Sequence, residues 1–153
     1  MAVKLSVPHH RQKSEAGCLP ACVAMVLAYW QDPHSQEAIS RSLGTDPHVG
    51  TPASRVLRLR SRSLSVFYGQ ASPIEIRQWL EARVPVIALV HTLELPYWSQ
   101  ACAHAVVVIG VDEGSVWVND PARVQAPVRV PMGDFILACG AMDNYVAVIR
   151  PSS

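Results

Sequence analysis

What this chain most plainly lacks is a net charge of either sign: thirteen Lys and Arg stand against twelve Asp and Glu, a formal +1 over 153 residues. So even a balance projects no field that would gather a polyanion, and nucleic acid and anionic membrane surfaces drop out as expected partners. Charged residues of any kind are scarce as well, at 16%, while half of the residues are apolar. That combination argues against a disordered chain and leaves material for one sizeable core. Nowhere do the apolar residues gather into a run approaching the roughly 20 that span a bilayer, so no direct membrane insertion is expected. The opening Met-Ala-Val-Lys-Leu-Ser-Val-Pro-His-His-Arg-Gln lacks the apolar centre of a secretion signal. The chain is expected to work in the cytoplasm, as one domain over residues 1–153. Repeats, low-complexity tracts and long linkers are also missing. Cysteines are few: Cys18, Cys22, Cys102 and Cys139. A reducing compartment and a core of this size need no disulfide framework, so reactive or simply buried thiols are expected.

What is present changes character half-way. From Cys18 to Trp30, Leu19, Cys22, Val23, Val26, Leu27 and Trp30 follow the spacing of a helix with one broad buried face. Pro20 suits its first turn, where a missing N–H costs nothing, so the helix is expected to begin at or just after Cys18. A second helix is expected from Ser35 to Leu43, capped by Ser35 and stopped by Gly44. A third should follow Thr51-Pro52 and carry Arg55, Arg58, Arg60 and Arg62, read as a solvated face. Ser72-Pro73-Ile74-Glu75 combines a capping box with proline at the first helical position and predicts a helix from Pro73 to about Arg83. Thereafter Val86–His91, Ala105–Asp112, Ser115–Asn119, Val128–Val130 and Tyr145–Ile149 are short Val- and Ile-rich runs bounded by Gly, Pro or Asp, and read as strands. Glu113-Gly114 reads as a hairpin turn. Helices followed by antiparallel strands give an α+β fold.

The chemistry-bearing residues fall at the edges of these elements. A thiol attacks as thiolate, and a helix N-terminus with a neighbouring imidazole favours that form. Cys18 heads the first helix just after the small Ala16 and Gly17, which leave room for a substrate backbone, whereas Cys22 lies inside the apolar face and reads as an inert core thiol. Of six histidines, His9 and His10 precede any framework and His34 and His48 sit in turns. His91 ends a strand. His104 opens one, after Ala101, Cys102 and Ala103, so its ring would stand at the rim of a rigid sheet, as a general base should. Asp120 ends the strand that pairs with it: eight positions separate Asp112 from His104 and eight separate Asp120 from Asp112. The hairpin therefore brings the two together, to within the slack of a bulge, and Asn119 is sent to the other face. A carboxylate there would orient the imidazole. For an oxyanion hole, the Cys18 backbone N–H is one donor and Gln12, the sole side-chain amide shortly upstream, a second.

Taken together, the stretch Gln12-Lys-Ser-Glu-Ala-Gly-Cys18-Leu-Pro-Ala-Cys, the strand His104-Ala-Val-Val-Val-Ile-Gly-Val-Asp and the Val118-Asn-Asp120-Pro-Ala segment resemble the C39 peptidases, papain-like cysteine proteases of the bacteriocin-processing, double-glycine type. The resemblance implies a papain-like fold, with the nucleophile helix packed on a C-terminal antiparallel sheet. It implies Cys18 as nucleophile, His104 as general base and later acid, Asp120 as orienter of His104 and Gln12 as oxyanion donor, with no cofactor. The implied substrate is a bacterial precursor peptide, cut after a small-residue leader ending of the Gly-Gly or Gly-Ala type. Gly17 and Ala103 would line the narrow site, and Trp98, with Pro96 and Tyr97, would cover it and touch the peptide. Leu19 stands where the family usually has glycine and would reshape the approach to the thiol. Many family members are the amino-terminal domain of an ABC exporter, but here no membrane spans or phosphate-binding loop follow, which implies a stand-alone enzyme or an excised domain. Three other readings stay open on sequence grounds: an acyltransferase using the same triad with an amine acceptor, a zinc site of Cys18, Cys22, Cys102 and His104, and a module that holds a peptide without cutting it.

Overall fold

A computed structural model describes residues 2–153. Its elements in chain order are β1 (Val3–Lys4), α1 (Cys18–Tyr29), α2 (Gln36–Leu43), a 3-10 turn (Ala53–Leu59), β2 (Leu64–Gln70), α3 (Pro73–Glu81), β3 (Val86–His91), a second 3-10 turn (Thr92–Glu94), β4 (Ala103–Val111), β5 (Ser115–Asn119), β6 (Val128–Pro131), α4 (Met132–Gly140) and β7 (Tyr145–Pro151). The strands form one antiparallel sheet in the order β2-β7-β3-β4-β5-β6, and β1 lengthens it by pairing with the far end of β4, Val3 opposite Val111. Helices on an antiparallel sheet make the fold α+β, as the sequence pattern implied.

Every residue of β4 from His104 to Val111 is buried, so both faces of the sheet centre are covered. Helix α1 packs on β4 and β7, α3 on β3 and β4, and α4 on β3 and β5. The structure corrects the expectation of a single buried face on α1. Leu19 to Leu27 are buried without interruption because α2 packs on the side of α1 that the sheet leaves bare.

The local start and stop signals act as read. Ser35 accepts from Ala38 N–H at 3.1 Å, Gly44 adopts φ 63° to end α2, and the Ser72–Glu75 capping box with Pro73 starts α3. The third predicted helix is only the 3-10 turn, and its arginines are not simply solvated. Arg55 donates to the carbonyl oxygens of Leu43 and Gly44, at 3.3 and 2.6 Å, and Arg58 to that of Leu43, so both serve the orphan carbonyls at the end of α2. The pattern reading missed β2 and α4. In the β4–β5 hairpin Val111 faces Val116 but Val107 faces Asn119, because one extra β4 residue bulges between Val108 and Gly110. Gly110 is required there: a Cβ would lie 2.8 Å from Val3 O.

Candidate active site

Cys18 is the first residue of α1, reached through a tight turn in which Gly17 N–H donates to Ser14 O. Gly17 caps the helix without a side chain, so the first N–H groups of α1 keep their outward-facing positive end. The reason for glycine there is the turn itself, since a Cβ would sit 3.1 Å from Ser14 Oγ. Gly17 is buried and does not line the cleft, a correction to its expected substrate contact.

The sheet supplies the other partners. The bulge sets Asp120 one register step past Asn119, diagonal to His104 on the same face, and His104 Nε2 donates to Asp120 Oδ1 at 2.7 Å. With Nε2 occupied, Nδ1 is the nitrogen left for the Cys18 thiol, which lies near enough to help raise the ring's pKa. Cys18, His104 and Asp120 are thus brought together. Asn119 turns to the opposite face, as alternation requires, and donates to Val7 O at 3.0 Å.

Asp120 has no exposure, and both its carboxylate oxygens are saturated. Oδ1 also accepts from Ala122 N–H at 2.8 Å, while Oδ2 accepts from Tyr97 OH at 2.6 Å and from Trp98 Nε1 at 2.9 Å. Burial alone would raise its pKa, but the hydrogen bond and charge of His104, then Tyr97 and the Ala122 N–H, hold it down at about 2. For His104, burial pulls the pKa down, and the Asp120 hydrogen bond and charge, with the nearby Cys18 thiol, outweigh it and push the ring up to about 9.

Beside this pair opens a cleft of about 370 Å³ whose lining includes Ala16, Cys18, Leu19, Ala103 and His104, together with Val49, Tyr68 and Met142. Ala103 and Ala16 are therefore among its wall residues. Trp98 is not on that wall, which corrects its reading as a cover: its ring packs on His104, centroids 4.9 Å apart, and its N–H is committed to Asp120. Gln12 is turned onto the Ser14–Gly17 turn, with Nε2 donating to Ser14 O at 2.8 Å and to Glu15 O at 3.3 Å, and Oε1 buried without a partner.

Three participants escaped the sequence reading. The sequence alone makes Tyr97 a cover, gives Arg123 no role and leaves His9 ahead of any framework, yet His9 Nε2 donates to Asp120 O at 2.8 Å. The one sequence signal was a Tyr-Trp pair with polar tips just before the His104 strand. Cys22 is fully buried and its thiol is pushed up by that burial, then by the neighbouring Cys18 and Asp120, as suits a core residue. The zinc grouping is not assembled: Cys102 is exposed and its sulfur lies 3.6 Å from Thr92 Oγ1, and among the described residues no three His, Cys, Asp or Glu side chains converge as a metal site.

Comparison with known proteins decides the family. Residues 4–139 match the model of the Peptidase_C39 like family. The chain belongs to that family. It is accordingly a cysteine peptidase by family, and solved structures of C39-like folds superpose on it nearly end to end. A Bacillus anthracis protein described as a C39-like peptidase matches at a TM-score of 0.78 with 20% identity, over 100% of this chain and 99% of that one. The double glycine motif protease from an AMS/PCAT transporter, solved with its leader peptide, matches at 0.76 with 23% identity, over 98% of this chain and 95% of that one. The peptidase domain of Streptococcus ComA, a bi-functional ABC transporter of a quorum sensing pathway, matches at 0.75 with 17% identity, over 96% of this chain and all of that one. At those identities the likeness is one of fold, and the fold is papain-like. No curated protein matches the sequence. Among the described residues no helix of this C39-like chain is long and apolar enough to cross a membrane.

Proposed function

We propose that this C39-like chain is an endopeptidase that cuts a peptide bond after small residues, of the Gly-Gly or Gly-Ala kind, through a thioester on Cys18. The observation that carries the reading is the His104 ring, bonded to the Asp120 carboxylate at 2.7 Å and set with Cys18 on the wall of one open cleft.

The steps follow from that geometry. Cys18 passes its proton to His104 Nδ1, and Asp120 steadies the imidazolium from Nε2 while remaining ionised itself. The thiolate attacks the peptide carbonyl, and the negative oxygen is met by the Cys18 N–H at the uncapped helix start and by Gln12 Nε2. The longer Gln12 bond, 3.3 Å to Glu15 O, is the weaker of its two and is given up at little cost. As the intermediate collapses, the C–N bond breaks and Nδ1–H goes to the leaving amine. Water, deprotonated by His104, then attacks the thioester, releases the acid and restores Cys18.

Small residues suit the acyl side because Ala16, Ala103 and Leu19 line the cleft together with Cys18. The family and the likeness to a protease solved with a leader peptide support a precursor peptide as the substrate, and likeness to transporter peptidase domains supports an exporter as the assembly such a domain serves. We place the activity in the cytoplasm, with residues 1–153 as one working domain. Incubation with Gly-Gly leader peptides, followed by mass spectrometry, should show a defined cut that disappears in Cys18→Ala. Equal cleavage by wild type and Cys18→Ala would overturn the reading.

A further inference from the structure

Asp120 spends only half of its carboxylate on His104. The other oxygen, Oδ2, is taken wholly by the tips of two adjacent aromatic side chains, Tyr97 OH at 2.6 Å and Trp98 Nε1 at 2.9 Å. Both rings are in turn covered by one cation. The Arg123 guanidinium lies 5.3 Å from the Tyr97 centroid and 4.7 Å from that of Trp98, and its Nη2 donates to Tyr97 O at 2.8 Å. Arg123 N–H also donates to Asp120 O, at 3.1 Å, so the residue ties the loop before β4 to the loop after β5. No carboxylate pairs with it among the described residues, and its Nε is buried without an acceptor. An arginine held this way has not been recruited as half of an ion pair. Its charge faces the two rings whose polar hydrogens point at the triad carboxylate.

We propose that Tyr97, Trp98 and Arg123 are positioning residues that lock the Asp120 carboxylate in the one orientation that serves His104. Two physical effects combine. Two donors on Oδ2 and the Ala122 N–H on Oδ1 leave the carboxylate no rotation that keeps all its bonds, so Oδ1 stays on Nε2 while the imidazole changes charge. A cation over the ring faces draws electron density from the OH and N–H and strengthens their donation to a charged acceptor. The Trp98 ring, packed on His104, also keeps water from competing for the short Nε2–Oδ1 bond. None of the three touches the reacting atoms.

The inference rests on the peptidase reading, and the experiment separates the two. Cys18 alkylation by iodoacetamide needs no knowledge of the substrate. It is followed in a Cys102→Ser background, because Cys102 is the exposed thiol while Cys22 and Cys139 are buried. The rate is followed from about pH 5 to about pH 9, because attack at the acid end depends on the proton that His104 takes from the thiol while Asp120 holds the ring. In Tyr97→Phe, Trp98→Phe and Arg123→Met the alkylation rate should fall about tenfold near pH 5 and little near pH 9, with kcat for peptide cleavage reduced and KM unchanged. Arg123→Lys should keep most of the wild-type acid-side rate. Profiles of the three variants that superpose on wild type, or that drop equally at every pH as a loss of folded protein would, overturn the positioning role. A wild-type profile with no acid-side reactivity overturns the peptidase reading instead.

Discussion

His104 is where two opposite effects of burial meet. Removal from water disfavours its charged form, while the carboxylate and thiol it meets there favour it, and the pair wins by enough to bring the ring to about 9. The sign of the pH dependence follows. His104 gains its partners on folding, so their stabilisation is complete below the ordinary histidine value of 6.5 and is lost as pH rises through about 9. Asp120 is shifted the other way, and its contribution is present above the ordinary 3.8 and lost only as pH falls through about 2. Thermal melting across this range should therefore show wild type losing stability from pH 7 toward about pH 9, with the slope flattened in His104→Ala. Cleavage should be abolished in His104→Ala and reduced about 100-fold in Asp120→Asn, whose amide leaves Nε2 without a charged acceptor; the kcat/KM of each variant checks this. The placement of these residues was readable because Cys18 heads a helix and His104 and Asp120 flank one hairpin. The environment of Asp120 was not. Tyr97 and Trp98 reach it over 23 and 22 positions through side-chain bonds that no local pattern encodes.

At the scale of elements, the readable ones are those whose signals are local. The Ser72–Glu75 box starts α3 and Gly44 ends α2 whatever packs on them. Helix α4 was hidden because Phe135, Ile136, Leu137 and Ala138 form an unbroken apolar run, although Ile136 and Leu137 are exposed at 43% and 57%. Strand β2 does alternate, with Leu64, Val66 and Tyr68 turned inward, but it lacks the Val–Ile run that marked the other strands. The bulge at Ile109 is likewise a tertiary matter: it gives Gly110 the close approach to Val3 and shifts the hairpin by the one residue that puts Asp120 diagonal to His104. A Gly110→Ala substitution forces a Cβ to within 2.8 Å of Val3 O. It should cost about 1–3 kcal/mol in denaturant unfolding, with β1 the element that peels away in hydrogen exchange.

Over the whole molecule, the N-terminal segment acts as a strap drawn along the Asp120 side of the site. Leu5 N–H is bonded to Ile109 O, Val7 O to the Asn119 amide, His9 to Asp120 O, Gln12 N–H to Pro121 O, and Arg11 O to the Gln36 amide. Each link is made by a residue with little regular structure, which is why the strap left no periodic trace in the sequence. Asn119→Ala leaves the Val7 carbonyl without its buried donor and should lower stability by about 1–2 kcal/mol, measured by chemical unfolding, while the activity of the folded fraction is kept.

The antiparallel register has a consequence for handling the protein. His104 stands at the start of β4, whereas Val3 pairs at its finish and β7 runs from Tyr145, level with β2 Gln70, to Pro151, beyond the Ala147–Ile87 pairing. Val3 and Pro151 thus both leave the sheet on the side away from His104. A bead, a fluorophore or a partner domain grafted onto either one has the length of a strand between itself and the incoming peptide.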